Sequence, residues 1–384
     1  MSTFHFFMTA VLAVNLLILL LVAWNVLGWP RPSQGKEQTR SHCSVLIPAR
    51  NESAHIADCL DHVLVQENTI CEILVYDDHS SDDTGSIVEA YRKRDARIRL
   101  IQPLPLPPGW CGKTFACATL AEQAKGEWLL FIDADARMRA GSVDRMVHEA
   151  VARNATFLSC WPGLVLVGFW EKTLLPMLNF VVLTLFPAPL SLKRRDASLG
   201  LAHGACILAR RREYRRIGGH EAVRDEIFED TSLARIWRAR GEHAVCLDGQ
   251  DIVGVRMYES FTAVWRGFRK NFFPAFRHRV NFWLFMLLHL TCFLLPFALW
   301  IGSAIAGDRP SVLIMLAALC VLAMRAALAW RFRYPFFSVW LHPLAETILL
   351  GLGLVSWWSC STGQGVEWKG RIYRTRGKAE RVRP

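Results

Sequence analysis

Two short acidic motifs, well separated along the chain, have the residue types needed for metal-assisted transfer chemistry. Asp133-x-Asp135 directly follows the apolar run Trp128–Ile132, and Glu229-Asp230 lies further on. A carboxylate pair at the carboxyl end of a strand can hold a divalent cation against a diphosphate. A later carboxylate can take a proton from an attacking hydroxyl. We therefore predict Asp133 and Asp135 as ligands of Mg²⁺ or Mn²⁺, and Asp230, with Glu229 beside it, as catalytic.

Each motif also has a simpler explanation. Short acidic pairs occur in the turns that follow strands. Acidic residues also favour the positive end of a helix dipole, and Glu229-Asp230 opens the helix-like stretch Thr231–Trp237. The catalytic interpretation depends on both motifs lying at the same edge of one sheet.

The segments around the motifs alternate between strand-like and helix-like patterns. Strands are expected at 44–48, 71–76, 97–102 and 128–132, and helices at 53–66 (with Ser53 as N-cap), 87–94 and 114–124. This alternation predicts βαβ units and a mostly parallel sheet. Ligands of such sheets bind beyond the carboxyl ends of the strands, where the acidic clusters fall.

Two further motifs could contact a nucleotide. Asp77-Asp78 could accept hydrogen bonds from a base or a ribose, while Ser80–Thr84 after it would also cap a helix. Lys113 lies in a stretch that superficially resembles a phosphate loop, but Pro107 stands where the first glycine is required. We reject a P-loop, although Lys113 at a helix start could still meet a phosphate.

The order of the motifs resembles the family 2 glycosyltransferases. The resemblance is carried by Val45–Glu52, Tyr76–Thr84, Phe131–Asp135 and Phe228–Thr231, within about Ser41–Gly267. It implies a GT-A fold, which is Rossmann-like and mostly parallel, together with a nucleotide-sugar donor (a UDP-sugar), Mg²⁺ or Mn²⁺, and inversion at the anomeric carbon.

The resemblance also implies roles for individual residues. It carries a donor-binding role over to Ala49, Glu52, Asp77, Asp78 and Asp133. Arg50, Lys113 and Arg256 are also expected to bind the donor, the last two as positive charges near the diphosphate. Asp133 and Asp135 would serve the metal, and Asp230 would be the general base. Processive synthases of the family carry Gln-x-x-Arg-Trp, which is absent from the corresponding region, so we expect single transfer.

A membrane-bound branch that includes carotenoid and hopanoid-cluster glycosyltransferases is more similar still. This similarity lies in Gly109–Lys113, in the 256–271 region and in Trp368–Tyr373. It implies a lipid-like acceptor, such as a carotenoid or hopanoid. A polysaccharide synthase subunit and a non-catalytic membrane scaffold that keeps the fold remain the alternatives.

Membrane segments are indicated by the distribution of the 52% hydrophobic residues along the 384-residue chain. Phe4–Trp29 has no Asp, Glu, Lys or Arg and is long enough to cross a bilayer. A signal peptide would have a charged start and a small-residue cleavage site. The expected organisation is an N-terminal transmembrane anchor (1–30), a catalytic domain (41–257), an amphipathic basic interface segment (258–280), C-terminal membrane helices (281–358) and a basic tail (359–384).

The net charge of +11 is concentrated beside the apolar segments, which favours the positive-inside rule over nucleic-acid binding. We expect an integral protein of the bacterial inner membrane with a cytosolic catalytic domain. Four full spans would place the basic tail outside, so Phe336–Trp358, which Pro343 divides, could be re-entrant. Leu174–Leu190 could be a core helix or an interfacial segment near the acceptor. The eleven cysteines, without a CxxC pair, are expected to be reduced packing residues.

Overall fold

The computed structural model describes residues 3–33, 42–66, 69–276, 278–362, 366–368 and 371–373. It contains two compact units. The sheet unit comprises Trp29–Val165 and Ala188–Met257, and the helical unit comprises Met1–Gly28, Leu166–Pro187 and Tyr258–Pro384. Ser41, Arg277 and most of the predicted basic tail lie outside the described residues.

The sheet unit is built on one eight-stranded sheet with the order β3-β2-β1-β4-β7-β6-β8-β5. Its strands are β1 (Cys43–Ala49), β2 (Ile70–Asp77), β3 (Ile98–Ile101), β4 (Trp128–Ile132), β5 (Ala136–Met138), β6 (Phe157–Leu164), β7 (Cys206–Arg210) and β8 (Ala244–Val255). The β1–β4 part is parallel, whereas β7 runs antiparallel to β4 and β6, and β5 runs antiparallel to β8. β6 and β8 also pair in parallel. The sheet is therefore mixed, with parallel pairings in the majority, so the expectation of a mostly parallel sheet is confirmed with antiparallel exceptions at β7 and β5.

Helices cover both faces of this sheet. Those of the sheet unit are α2 (Ile56–Leu64), α3 (Thr84–Arg92), α4 (Gly112–Gln123), α5 (Ser142–Ala152), α8 (Ala188–Lys193), α9 (Arg211–Ile217) and α10 (Glu229–Ala239), with 3₁₀ turns at Ala197–Leu199 and Gly219–Val223. Alternate residues of β1 enter different cores: Val45 packs in the layer that contains Leu60, and Leu46 packs in the layer that contains Leu120 and Trp237. Burial on both faces explains the continuous apolar runs of the central strands.

The predicted boundaries are close to the observed ones, with one error in capping. The strand Trp128–Ile132 has the predicted bounds. The first helix of the sheet unit begins at Ile56, so Ser53 is not its N-cap. Instead the backbone N–H of Ser53 donates to Oδ2 of Asp82 (3.0 Å), and Oδ1 of the same residue accepts from the N–H of Thr84, the first residue of α3 (3.1 Å).

Among its described residues, the helical unit contains four helices long and apolar enough to cross a membrane: Thr3–Gly28, Arg279–Ala306, Val312–Phe332 and His342–Ser361. The α-helices of this unit are α1 (Thr3–Gly28), α6 (Phe169–Leu174), α7 (Pro176–Leu183), α11 (Phe261–Asn271), α12 (Arg279–Leu288), α13 (Leu295–Ala306), α14 (Val312–Phe332), α15 (Phe337–Trp340) and α16 (His342–Ser361). A π-helix, His289–Leu294, joins α12 to α13, and β9 (Val366–Trp368) pairs antiparallel with β10 (Arg371–Tyr373).

Prolines decide two boundaries in the predicted membrane segments. Pro343 lies in the first turn of α16, so it separates α15 from a full-length helix instead of dividing that helix. The expected single segment Leu174–Leu190 is broken into the end of α6, α7 and the start of α8, and Pro176 begins α7. The expected amphipathic segment forms α11.

Several buried polar side chains in the helical unit have partners within the unit. The side-chain amide of Asn15 donates to the carbonyl oxygens of Cys292 (2.9 Å) and Ala317 (3.3 Å). Nδ1 of His289 lies 2.7 Å from Oε1 of Glu346, with both side chains fully buried. Glu346 therefore faces protein, as expected for an ionisable group at this depth. All eleven cysteines, each within the described ranges, are free thiols.

Candidate active site

The strand order brings the first acidic groups to one edge of the sheet. Ala49 at the end of β1 pairs with Asp77 at the end of β2, and β4 lies on the other side of β1. Because these three strands are parallel, Asp133, which follows β4, emerges at the same edge as Asp77. The expected clustering at the strand ends is present.

Lys113 connects the two acidic motifs. Its Nζ lies 2.7 Å from Oδ1 of Asp133 and 3.0 Å from Oε1 of Glu229. Lys113 is in the first turn of α4, and Glu229 is the first residue of α10. Burial alone would lower the pKa of Lys113, but the two carboxylates raise that pKa well above its usual value. Lys113 is therefore a fixed positive charge at the centre of the cluster.

Asp230 is held by two backbone amides. The N–H of Gly204 donates to Oδ2 (2.8 Å), and the N–H of Thr231 donates to Oδ1 (2.6 Å). Burial and the neighbouring charge of Glu229 raise the pKa of Asp230 to about 7, against the opposite effect of these hydrogen bonds and of Lys113. A carboxylate of this kind is oriented and can accept a proton near neutral pH.

The backbone at Gly204 closely approaches the charged cluster. A Cβ atom there would lie 2.9 Å from Nζ of Lys113, so the lysine would have to shift, and it would lie at the ordinary contact distance of 3.5 Å from Oδ2 of Asp230. Gly204 thus lets the backbone reach the carboxylate directly.

The loops after β1 and β2 are joined into one platform. Nη1 of Arg50 donates to the carbonyl oxygens of Asp78 and His79, and the N–H of Glu52 donates to Oγ1 of Thr84 (2.8 Å). Asp78 is buried, and its N–H donates to the carbonyl of Ala49 (2.8 Å). The residues expected to contact the nucleoside are thus assembled together, with Arg50 bonded to the backbone of the neighbouring loop.

Asp77 also has a local structural contact. Its Oδ1 accepts a hydrogen bond from the N–H of Ser80 (3.1 Å). The N–H of Thr84 at the start of α3 is met by Oδ1 of Asp82, and the expected ligand-binding role of Asp77 and Asp78 stays a prediction.

Asp135 and Arg256 are brought near each other by strand pairing. Ala136 in β5 pairs antiparallel with Val255 in β8, so Asp135 and Arg256 are the next positions in register. This places a basic residue from a distant part of the chain beside the proposed metal carboxylates.

The carboxylates after β4 fit a metal that is shared with a substrate. Mg²⁺ and Mn²⁺ take oxygen ligands and are commonly bound by one or two carboxylates together with substrate phosphates. In the described part of the chain, no three His, Cys, Asp or Glu side chains gather closely enough to hold an ion alone. Asp133 and Asp135 supply the two carboxylates that such a shared site requires.

Two buried histidines near the cluster were not identified from the sequence. Nδ1 of His220 lies 2.7 Å from the hydroxyl of Tyr214, and its ring packs against Phe131 with centroids 4.8 Å apart. With Lys113, Asp133 and Glu229, it lines a small cavity. His203 directly precedes Gly204; the His-Gly pair before a strand is a signal too general to identify it. A larger groove of about 1030 Å³ along β3 contains none of the acidic site residues.

This sheet, with carboxylates after β2 and β4 and at the start of α10, defines a GT-A domain. The family model described as glycosyl transferase family 2 matches residues 44–218. Residues 44–218 are therefore similar to glycosyl transferase family 2, in agreement with the resemblance read from the motifs.

Two known proteins illustrate the similarity. The 4,4'-diaponeurosporenoate glycosyltransferase of Staphylococcus aureus (strain USA300) is 24% identical over 234 residues, which are 59% of this chain and 60% of that protein. The chain thus spans about three fifths of the length of the curated relative. A mannosyltransferase from Pyrobaculum calidifontis, solved in complex with GDP-Man and Mn²⁺, has the same fold, with a TM-score of 0.55 and 20% identity over 92% of this chain and 98% of that one.

Proposed function

We propose that the protein is an inverting glycosyltransferase that transfers one sugar from a nucleotide-sugar to a hydrophobic acceptor at a membrane surface. The observation that carries this proposal is the Lys113 bridge between Asp133 and Glu229, with Asp230 next to it. The bridge brings together a cation, a carboxylate that we propose as a metal ligand and, beside Glu229, the residue that we propose as general base. The names of the relatives support the same class of reaction.

The donor would lie along the strand ends. The platform formed by Ala49, Arg50, Glu52, Asp77 and Asp78 would receive the nucleoside, because its carboxylates can accept hydrogen bonds from base and ribose. Asp133 and Asp135 would hold Mg²⁺ or Mn²⁺. When bound, the metal would stabilise negative charge on the departing diphosphate. Lys113 and Arg256 would add positive charge from the protein.

Asp230 would act on the acceptor. An acceptor hydroxyl attacks C1 of the sugar, and its proton passes to the carboxylate of Asp230. The bond from C1 to the diphosphate oxygen breaks, and its electron pair leaves with the nucleoside diphosphate. A single displacement of this kind inverts the anomeric configuration. A carboxylate acceptor carries no proton at neutral pH, so it would need less help from Asp230.

The helical unit supports a membrane location and a lipid-like acceptor. Its four apolar helices are long enough to span a bilayer. The relative from Staphylococcus aureus is named for a carboxylate, diaponeurosporenoate. A carotenoid, a hopanoid or another membrane lipid is therefore the acceptor class we propose. The enzyme would lie in the bacterial inner membrane with the sheet unit in the cytosol.

A donor panel tests the function directly. Purified protein is mixed with total membrane lipid, Mg²⁺ or Mn²⁺ and a set of UDP- and GDP-sugars, and the products are read by mass spectrometry. We expect one lipid to gain the mass of one sugar, with UDP-sugars as the expected donors. A ladder of growing products would indicate a polysaccharide synthase. Absence of any product while a nucleotide-sugar binds would indicate a non-catalytic scaffold.

Orientation is tested separately with proteases. In inverted inner-membrane vesicles, the sheet unit should be cleaved without detergent. Protection of that unit in inverted vesicles, with cleavage in right-side-out vesicles, would contradict the cytosolic placement. A tag on the C-terminal tail, read in the same samples, would determine its side.

A further inference from the structure

The segment His203-Gly204-Ala205 is bonded to both acidic motifs. The N–H of Gly204 donates to Oδ2 of Asp230 (2.8 Å), and the carbonyl oxygen of Ala205 accepts from the N–H of Asp133 (3.4 Å). His203 thus stands one residue from the backbone that orients the proposed base. No role was predicted for it from the sequence.

The backbone and ring of His203 are fixed in place. Its N–H donates to Oγ of Ser159 (2.9 Å), whose hydroxyl can donate back to the carbonyl of His203 (3.3 Å). The imidazole packs edge-on against Trp161, with ring centroids 5.1 Å apart and planes at 80°. An immobilised side chain of this kind loses little entropy when it binds a ligand.

The hydrogen bonds also fix the tautomer of the ring. Nδ1 of His203 accepts from the N–H of Ala205 (3.2 Å), so the proton of the neutral imidazole lies on Nε2. Within the described residues, no hydrogen-bond partner faces this Nε2. His203 is 9% exposed, so the side chain is almost enclosed but reaches the surface.

The charge state of His203 restricts what it can bind. Burial lowers the pKa of His203 to about 4; Lys113 acts in the same direction and Asp133 in the opposite one. The ring is therefore neutral at physiological pH and offers one uncharged N–H donor. Lys113 already supplies a cation for a diphosphate, whereas a neutral donor on the residue before Gly204 suits a sugar hydroxyl.

We propose that His203 binds the transferred sugar, with its Nε2–H donating to a hydroxyl oxygen of that sugar. This inference rests on the proposed function, because it presumes a nucleotide-sugar in the site. It identifies His203 as a residue that selects among donor sugars, distinct from the groups that hold the diphosphate.

Calorimetry on the purified full-length protein separates the sugar contact from the diphosphate contact. The affinity for the nucleotide-sugar found in the donor panel is compared with that for its nucleoside diphosphate. His203→Leu should weaken binding of the nucleotide-sugar about tenfold or more and leave the nucleoside diphosphate within about twofold. His203→Gln, which keeps an N–H near the position of Nε2, should restore most of the affinity. His243→Leu, at the opposite edge of the sheet, is the matched control and should change neither affinity.

Deoxy donors identify the hydroxyl. The loss caused by His203→Leu should disappear for the one donor that lacks the bonded hydroxyl and persist for the other deoxy donors. An equal loss with every donor, or an equal loss for the nucleoside diphosphate, would overturn the proposal. Circular dichroism melting of each variant checks the fold.

The two proposals can fail separately. If the wild-type protein binds a nucleotide-sugar in a His203-dependent way but transfers no sugar, the proposed function is wrong and the sugar contact is supported. Transfer that is insensitive to His203→Leu would remove the contact alone. A protein that binds no nucleotide-sugar would overturn both.

Discussion

The amide nitrogen of Gly204 lies 2.8 Å from Oδ2 of Asp230. The backbone of Gly204, in the turn before β7, thus orients the side chain of Asp230 in the first turn of α10. Since no side chain has to reorganise, the carboxylate is held for reaction before any acceptor arrives. Our predictions begin with this carboxylate.

Asp230→Asn should reduce transfer to a hydroxyl acceptor about 10²–10⁴-fold, because the amide cannot take the proton. The isosteric amide can still accept the bond from Gly204, so donor binding should be unchanged. Initial rates and calorimetric titration with the nucleoside diphosphate measure the two effects. If the variant loses its affinity for the donor, Asp230 is a donor ligand and the base assignment is wrong.

The pH dependence should depend on the acceptor. With the pKa of Asp230 raised to about 7, the unprotonated base becomes more abundant as pH rises through neutrality. The rate kcat/KM for a hydroxyl acceptor should therefore rise up to about pH 7 and then level off. For a carboxylate acceptor, kcat/KM should show no such rise with pH. Identical profiles for both acceptors would argue against proton transfer to Asp230.

The same pKa has a consequence for stability. Between the ordinary pKa of an aspartate and about 7, the folded protein keeps a proton on Asp230 that the unfolded chain releases. This group therefore contributes a loss of stability as pH rises through that window. Asp230→Asn should raise the melting temperature above that of the wild type at pH 8 but not at pH 4. An equal effect at both pH values would mean that the pKa is not raised.

Asp135→Ala should remove the metal-dependent part of donor binding. The variant keeps Asp133 and its bridge to Lys113, so the fold should survive. Affinity for the nucleoside diphosphate is measured with Mn²⁺ and with EDTA, and the two values should converge in the variant. Asp58→Ala changes an exposed carboxylate of α2 and is the control; it should keep the difference in affinity between Mn²⁺ and EDTA. A full metal effect in Asp135→Ala would exclude Asp135 as a ligand.

Lys113→Met should weaken donor binding about tenfold, since a charge-assisted contact to the diphosphate is lost. It should also shift the rise of kcat/KM for a hydroxyl acceptor to higher pH, because Lys113 lowers the pKa of Asp230. Lys113→Arg keeps the charge and should leave the pH of this rise unchanged. If Lys113→Met weakens donor binding but does not shift the rise, Lys113 serves the donor alone.

Leu185→Lys tests whether the segment around α7 guides the acceptor. Leu185 follows α7 and has 46% of its surface exposed, whereas Phe180 within the helix is fully buried. A charge at Leu185 should raise the apparent KM for the lipid and leave the KM for the nucleotide-sugar unchanged. Val151→Lys, exposed on α5 of the sheet unit, is the control. Equal changes in both KM values would indicate a general loss of structure.

The first half of the sheet could be predicted because its signals are local. The run Trp128–Ile132 is apolar throughout and is bounded by turn residues, and it forms a strand with the expected limits. Strands that alternate with helices must be parallel, so the meeting of Asp77 and Asp133 followed from connectivity alone.

The second half carries misleading local signals. β6 contains Pro162 and Gly163, where its pairing with β8 shifts register. β8 includes Asp248, which is fully buried and bonded to Arg31 and Gln250. Polar residues and proline inside a strand remove the alternation on which a prediction depends, and the partners that satisfy them are distant in sequence.

The contacts of the site were the least predictable part. Sequence placed Lys113 at a helix start, where a phosphate contact was the local expectation. Its pairing with both Asp133 and Glu229 depends on the packing of two helices against the sheet. The sequence thus singled out the residues that form this cluster, whereas the contacts that set their pKa values required the tertiary structure.

The first helix has a practical implication for purification of the protein. The amides of Asn15 and Asn25 reach the carbonyl oxygens of Cys292, Ala317, Leu183 and Phe186. Helix α1 is therefore a structural member of the bundle and not a removable tether. Deleting it to gain solubility would take four hydrogen bonds from the interior and uncover apolar faces. Intact protein in a detergent or nanodisc is the appropriate starting material for every assay proposed above.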